Sequence, residues 1–155
     1  RAAPIGGGHP TWKGRVMESR ITKADELHRR GYNCAQAVAC TYCDLVGVDE
    51  AEAFRGMEAF GRGMGGMATT CGAISGAVYL AGLVASDGAL DAPASKRESY
   101  KLSEQIVSAF AEKNGAVTCH ELKGIDFDHG MLRSCPGCIE DACAIVEQIL
   151  FPDKF

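Results

Sequence analysis

Eight cysteines are the residues whose type and placement could do chemistry in this sequence, and four of them share one local setting. Each of the four directly follows an asparagine, threonine or serine, residue types that cap helix N-termini. The four pairs are Asn33-Cys34, Thr70-Cys71, Thr118-Cys119 and Ser134-Cys135. Free N–H groups and the positive end of the helix dipole stabilise a thiolate there, and a thiolate is the form that ligates metals or attacks disulfides.

If these four helix starts converge, their thiolates would meet with positive helix ends directed at them, which suits an anionic iron–sulfur cluster. We therefore predict a cluster site with four cysteine ligands: Cys34, Cys71, Cys119 and Cys135. Cys138 lies three residues after Cys135 and could substitute for one of them. Cys143 is expected to point elsewhere. Cys40 and Cys43 fall inside a predicted helix, where we interpret them as core packing.

Two alternatives use the same residues differently. Cys135-Pro136-Gly137-Cys138 is a C-x-x-C motif at a helix start. One alternative is therefore a cluster-free thiol–disulfide oxidoreductase that uses Cys135 and Cys138, or two of the four cysteines that follow cap residues. That motif usually belongs to a βαβ context, and no alternating strand pattern occurs here. A structural zinc module is the other, although the two C-x-x-C pairs are about 90 residues apart rather than the roughly 15 to 20 of zinc ribbons. Asp44 and Ile139 stand where c-type haem attachment requires histidine, which excludes covalent haem.

The elements that must position these cysteines are helices, and we predict an all-α bundle of about seven. Capping boxes are expected at Asn33 with Gln36 and at Ser95 with Glu98. A glycine-rich loop, Gly61 to Gly66, separates the third and fourth helices. The fourth, from Cys71 to Ala85, is rich in glycine and alanine and is predicted to be the buried central helix. The predicted segments run from about Val16 to before Gly31, from Cys34 to about Val46, from Asp49 to about Phe60, from Cys71 to Ala85, from Ser95 to Asn114, from Thr118 to Gly124, and from Ser134 to Leu150.

Length and composition limit the classes of protein to which this chain can belong. The chain has 155 residues, of which 46% are hydrophobic and 23% charged, as in one ordinary globular domain over 1–155 with an irregular N-terminal arm over 1–12. A formal net charge of −4 offers no basic surface for nucleic acid. Gly63 to Ser86 carries no charge, but its helical part is shorter than the roughly 20 residues that a membrane span needs.

The remaining residues favour an electron carrier over an enzyme that converts a substrate. No pair of carboxylates, and no Cys–His or Ser–His pairing, indicates general acid–base catalysis. Residues 1–10 lack the apolar core of a signal peptide, but this decides export neither way, and our expectation is the cytoplasm. If an export signal has been removed, the periplasm is the alternative.

Four ordered motifs resemble one known family. They are Gly31-Tyr32-Asn33-Cys34-Ala35-Gln36-Ala37-Val38, Cys71-Gly72-Ala73-Ile74-Ser75-Gly76, Cys119-His120-Glu121-Leu122-Lys123-Gly124 and Cys135-Pro136. The chain resembles the C_GCAxxG_C_C family of redox-active proteins from about Arg29 to Leu150, a region that forms the cysteine-rich helical core (29–150). This family is similar to the iron–sulfur portion of split-Soret cytochromes.

The resemblance implies an all-helical fold, a [2Fe–2S] cluster and a homodimer that exchanges electrons with a redox partner protein. The four cysteines that the family pattern names correspond to Cys34, Cys71, Cys119 and Cys135, the same four that follow cap residues. Two departures are present. Thr70-Cys71-Gly72 replaces the family's Gly-Cys-Ala, and the haem-attachment motifs of split-Soret proteins are missing, so haem electron transfer is not implied.

Overall fold

The computed structural model describes residues 16–155, which form seven α-helices and no β-strand. Two 3-10 turns, Cys43–Val46 and Glu58–Phe60, directly follow the second and third helices. The predicted all-helical class and helix number are therefore confirmed. The helices are α1 (Ile21–Arg29), α2 (Cys34–Tyr42), α3 (Glu50–Met57), α4 (Gly72–Ala85), α5 (Lys96–Asn114), α6 (Cys119–Lys123) and α7 (Cys135–Ile149).

The centre of the bundle is the contact between α2 and α4, and α4 also packs on α5 and α7. All residues of α2 after Cys34 are buried. Close approach depends on small residues, because a Cβ added at Gly76 would lie 2.6 Å from the carbonyl oxygen of Ala35. The Gly/Ala-rich helix thus packs closely, as the sequence indicates, and α2 is buried along almost its whole length beside it.

A buried carboxylate on α7 fixes where α1 begins. Glu147 accepts hydrogen bonds from the Tyr42 hydroxyl at 2.6 Å and from the Arg20 backbone N–H at 2.8 Å. A buried charge needs such partners, since an unpaired one is costly. These bonds, together with the Met17 N–H donating to the Lys154 carbonyl at 2.7 Å, hold the preceding segment outside the helix. Consequently α1 begins several residues later than predicted, at Ile21.

One predicted cap does not form. Ser95 is the N-cap residue of α5, but no side-chain hydrogen bond joins it to the helix, so the expected capping box with Glu98 is wrong. The Ser95 hydroxyl instead accepts a hydrogen bond from the Asp87 N–H at 3.0 Å. The side chain therefore ties the loop before α5 to the helix start.

Within residues 16–155, no helix combines the length and apolar character needed to cross a bilayer. The predicted irregular arm, 1–12, lies outside the described residues. The single domain over 1–155, the homodimer and the exclusion of nucleic acid stay predictions.

Candidate functional site

The start of α2 is held by the predicted capping box. The Asn33 side chain accepts a hydrogen bond from the Gln36 N–H at 2.9 Å, and the Gln36 side chain accepts one from the Asn33 N–H at 2.9 Å. The Asn33 amide also donates to the Glu58 carbonyl at 2.8 Å, which joins this helix start to the end of α3. Cys34 is thereby fixed as the first residue of α2.

The starts of α6 and α7 follow the same rule. Thr118 and Ser134 each accept a hydrogen bond from the backbone N–H three residues on, at 3.4 and 3.1 Å. Pro136, which lacks an N–H, occupies the first turn of α7, where that group has no intrahelical partner in any case. Cys119 and Cys135 are therefore the first residues of their helices, as predicted.

Cys71 departs from this pattern by one position. It is itself the N-cap residue, and α4 begins at Gly72. The backbone stays non-helical one residue longer because Thr70 forms an isolated antiparallel bridge with Thr118, and the Cys71 N–H donates to the Val117 carbonyl at 2.8 Å. Its sulfur still faces the N–H groups of the second and third residues of α4.

The same bridge brings the starts of α4 and α6 together. The Cys119 N–H donates to the Thr69 carbonyl at 2.9 Å, so the segments before the two helices lie side by side. Gly63 packs against the Cys119 side chain so closely that an added Cβ would overlap it. The juxtaposition of Cys71 and Cys119 therefore depends on backbone pairing that helix signals in the sequence do not encode.

One cavity of about 250 Å³ collects the sulfur atoms. All four predicted site cysteines line it, and the fifth, Cys138, joins them from the second turn of α7. The cysteines on its wall are Cys34, Cys71, Cys119, Cys135 and Cys138. The helix starts thus converge as the prediction requires.

The other three cysteines belong to the core. The Cys43 thiol donates to the Cys40 carbonyl at 3.3 Å, and both residues pack among buried apolar side chains. Cys143 is fully buried beside Tyr42. Burial raises the pKa of Cys40 and of Cys143 to about 12, so these thiols are neutral packing residues.

The first sulfur pair on the cavity wall joins α2 to α7. The Cys34 thiol donates a hydrogen bond to the Cys135 sulfur, and the Lys123 ammonium lies 2.6 Å from that same sulfur. The bond from Cys34 and then the lysine lower the pKa of Cys135 to about 5. The same bond and burial raise the pKa of Cys34, which stays a thiol. Cys135 is therefore the thiolate of this pair.

The second pair joins α4 to α7. The Cys138 thiol donates a hydrogen bond to the Cys71 sulfur, which, with the N–H groups at the start of α4, lowers the pKa of Cys71. That bond and burial raise the pKa of Cys138. Burial and the neighbouring Cys71 raise the pKa of Cys119, which has no thiol donor of its own. In each pair, therefore, the donating cysteine has a raised pKa and the accepting cysteine a lowered one.

Basic side chains, which the sequence interpretation missed, lie around these sulfur atoms. Lys123 lies one helical turn after Cys119 on α6, an i, i+4 spacing that could have indicated that both share a face. His28, Arg62 and Arg133 also line the cavity, whereas none of the described residues on its wall is an aspartate or glutamate. Apart from the cysteines, every ionisable residue on the described cavity wall is therefore basic, in a chain of net charge −4.

The predicted glycine-rich loop has an unusual backbone. All six residues from 62 to 67 have positive φ, including Arg62, Met64 and Met67 at 55°, 49° and 73°. Left-handed geometry costs a residue with a side chain roughly 1–2 kcal/mol. The Thr69 N–H and hydroxyl both donate to the Gly63 carbonyl at 2.9 Å, and these bonds help to hold the loop in this conformation. This geometry places Arg62, Gly63 and Met67 on the cavity wall.

In the described part of the chain, no three His, Cys, Asp or Glu side chains form a group that could hold a metal ion. The five sulfur atoms stand instead as two pairs and one further thiol. A comparison with protein families finds a model described as "Putative redox-active protein (C_GCAxxG_C_C)", which matches residues 32–149. No curated protein and no solved structure matches the chain.

Proposed function

Since the chain belongs to the C_GCAxxG_C_C family of redox-active proteins, we propose that its cysteine cavity binds an iron–sulfur cluster, of the [2Fe–2S] type, for electron transfer. The observation that carries this proposal is the convergence of five cysteines, on four helices, at one cavity. A [2Fe–2S] cluster takes four cysteine thiolates. Soft sulfur donors, with no carboxylate among the described wall residues, suit iron–sulfur chemistry better than a hard cation.

The ligand assignment follows the pairs. Cys34 and Cys135 are already paired across α2 and α7, so we assign them to one iron. We assign Cys71 and Cys119 to the other, because the bridge before α4 and α6 brings them together. Cys138 pairs with Cys71 and is the reserve thiol, able to replace either of these two.

Charge on the cavity wall supports an anionic group. Four thiolates would carry four negative charges, which burial penalises unless they are compensated. Lys123 and the N–H groups at the start of α4 supply compensation without moving, and the buried Leu122 side chain covers one side of the cavity. When bound, the cluster would supply one-electron chemistry. The chain's own residues would set its potential through hydrogen bonds, charge and burial.

The first test is composition under anaerobic conditions. We expect the purified chain to carry about two iron and two acid-labile sulfide ions, little zinc, a visible absorption spectrum and a paramagnetic signal after one-electron reduction. Iron, sulfide and zinc analysis with absorption and electron paramagnetic resonance spectra makes the measurement. A colourless anaerobic protein without iron or sulfide would overturn the proposal, and stoichiometric zinc would favour the structural module.

Lys123 should raise the reduction potential of the loaded protein. Its ammonium lies 2.6 Å from the Cys135 sulfur, so it stabilises the more negative, reduced state. Lys123→Met is expected to lower the midpoint potential by on the order of 50 mV, allowing for solvent screening. Lys123→Arg keeps the positive charge, so its midpoint potential should lie close to that of the wild type. Redox titration checks both, and equal potentials in wild type and Lys123→Met would contradict the assignment.

A further inference from the structure

Both thiol pairs in the cavity cross between helices, and neither is the pair that the C-x-x-C motif suggests. Cys135 hydrogen-bonds Cys34 of α2, and Cys138 hydrogen-bonds Cys71 at the start of α4. The two cysteines of the motif are thus each engaged with a different helix. A disulfide formed from the existing contacts would therefore join α2 to α7, or α4 to α7.

The two pairs differ in access from solvent. Cys34 and Cys135 are half-buried, whereas Cys71 and Cys138 are only 5% and 3% exposed. A small molecule entering the cavity would therefore reach the Cys34–Cys135 pair more readily. Attack on a disulfide requires a thiolate in reach, and the Lys123 ammonium at 2.6 Å stabilises that form at the Cys135 sulfur.

The cavity wall also selects the charge of such a molecule. Among the described residues, neither Arg62 nor Lys123 has a carboxylate partner, and both line the cavity. Arg133, by contrast, is paired with Asp141 at 2.9 Å. Two cations without acidic partners beside a reactive sulfur attract a negatively charged substrate and repel a positively charged one.

We propose that the chain without a cluster is a thiol–disulfide exchange site for anionic, low-molecular-mass disulfides, with Cys135 as nucleophile and Cys34 as resolving thiol. The Cys135 thiolate attacks one sulfur of the substrate, the S–S bond breaks, and the first leaving thiolate takes a proton from water. The Cys34 sulfur then attacks the mixed disulfide at Cys135 and gives its proton to the second leaving thiolate. The dithiol loses two electrons to the substrate, which becomes two thiols.

A peptide map of the full wild-type chain tests the pairing. The chain is reduced, freed of iron by a chelator under anaerobic conditions, and mixed with oxidised glutathione. Tryptic cleavage leaves Cys34 in peptide 31–55, whereas Cys135 and Cys138 share peptide 134–154. We expect these two peptides to become linked while two glutathiones are released. An internal disulfide within 134–154, or no disulfide, overturns the proposal.

Two variants assign the roles. Cys34→Ser should lose the cross-link and accumulate a mixed disulfide with glutathione on peptide 134–154. Cys135→Ser should form neither product at a comparable rate. A cross-link that persists in Cys34→Ser, or a mixed disulfide on peptide 31–55 in Cys135→Ser, overturns the assignment.

The charge of the probe tests the substrate class. Oxidised glutathione, which is anionic, should react several-fold faster than cystamine, which is cationic, and Arg62→Gln should narrow that difference. Equal or faster reaction with cystamine overturns the anionic class. Because every sample is free of iron, these outcomes are separate from the proposed cluster. If the wild-type protein contained no iron when purified anaerobically, the cluster proposal would be refuted and the disulfide-exchange test would still apply.

Discussion

Removing Cys71 and Cys138 together, as Cys71→Ala/Cys138→Ala, is expected to reduce iron and sulfide in the anaerobically purified protein to background. Cys71 faces the N–H groups at the start of α4, and Cys138 is the thiol that pairs with it. The double variant leaves only three thiols on the cavity wall, one fewer than a cluster held by four cysteines needs. Iron and sulfide analysis with the visible spectrum measures the loss.

The matched control removes two cysteines from the core of the same chain. Cys40 and Cys43 lie outside the cavity, so Cys40→Ala/Cys43→Ala should retain the spectrum and the iron content. Single variants separate the roles: Cys138→Ala should load fully, whereas Cys71→Ala should load in part through Cys138. Full loading of the Cys71/Cys138 double variant would contradict the ligand assignment. So would loss of the cluster in a core variant whose circular dichroism is native.

Much of the site could be predicted because its determinants are local in sequence. Asn33, Thr118 and Ser134 bond N–H groups three residues on, so cap and helix start are encoded in a few adjacent residues. The repetition of that local pattern suggests a shared site if the helix starts converge, and the cavity shows that they do. The exclusion of Cys40 and Cys43 likewise followed from their position inside one helix.

The parts that could not be predicted depend on contacts between distant segments. Arg20 and Glu147, whose bond delays the start of α1, are 127 residues apart. The bridge between Thr70 and Thr118 moves the N-cap of α4 to Cys71. A single bridge produces no alternating apolar pattern in the sequence from which it could be predicted. The pairing of Cys138 with Cys71 is of the same kind, since C-x-x-C spacing points to Cys135 instead. The start of α1, the N-cap of α4 and the pairing of Cys138 therefore all depend on tertiary packing.

Gly76 links the packing of the bundle to the geometry of the site, and Gly76→Ala is expected to weaken both. The new Cβ would lie 2.6 Å from the Ala35 carbonyl oxygen and 3.1 Å from the Val38 Cβ, so α2 and α4 must move apart. Overpacking of this kind typically costs about 1–3 kcal/mol of unfolding free energy. Cys34 and Cys71 lie at the starts of these two helices, so their separation should also lower cluster occupancy.

Gly82→Ala is the matched control, because it adds the same methyl group to the same helix where nothing lies within 4 Å. There the substitution should raise the unfolding free energy by up to about 1 kcal/mol, through helix propensity and a less flexible unfolded chain. Urea denaturation followed by circular dichroism, with iron analysis of the same samples, compares the two variants. If Gly76→Ala matched Gly82→Ala in stability and iron content, close approach of α2 and α4 would not be what positions the cysteines. A loss confined to Gly76→Ala would tie the thiol arrangement to the small residues that let the two helix backbones meet.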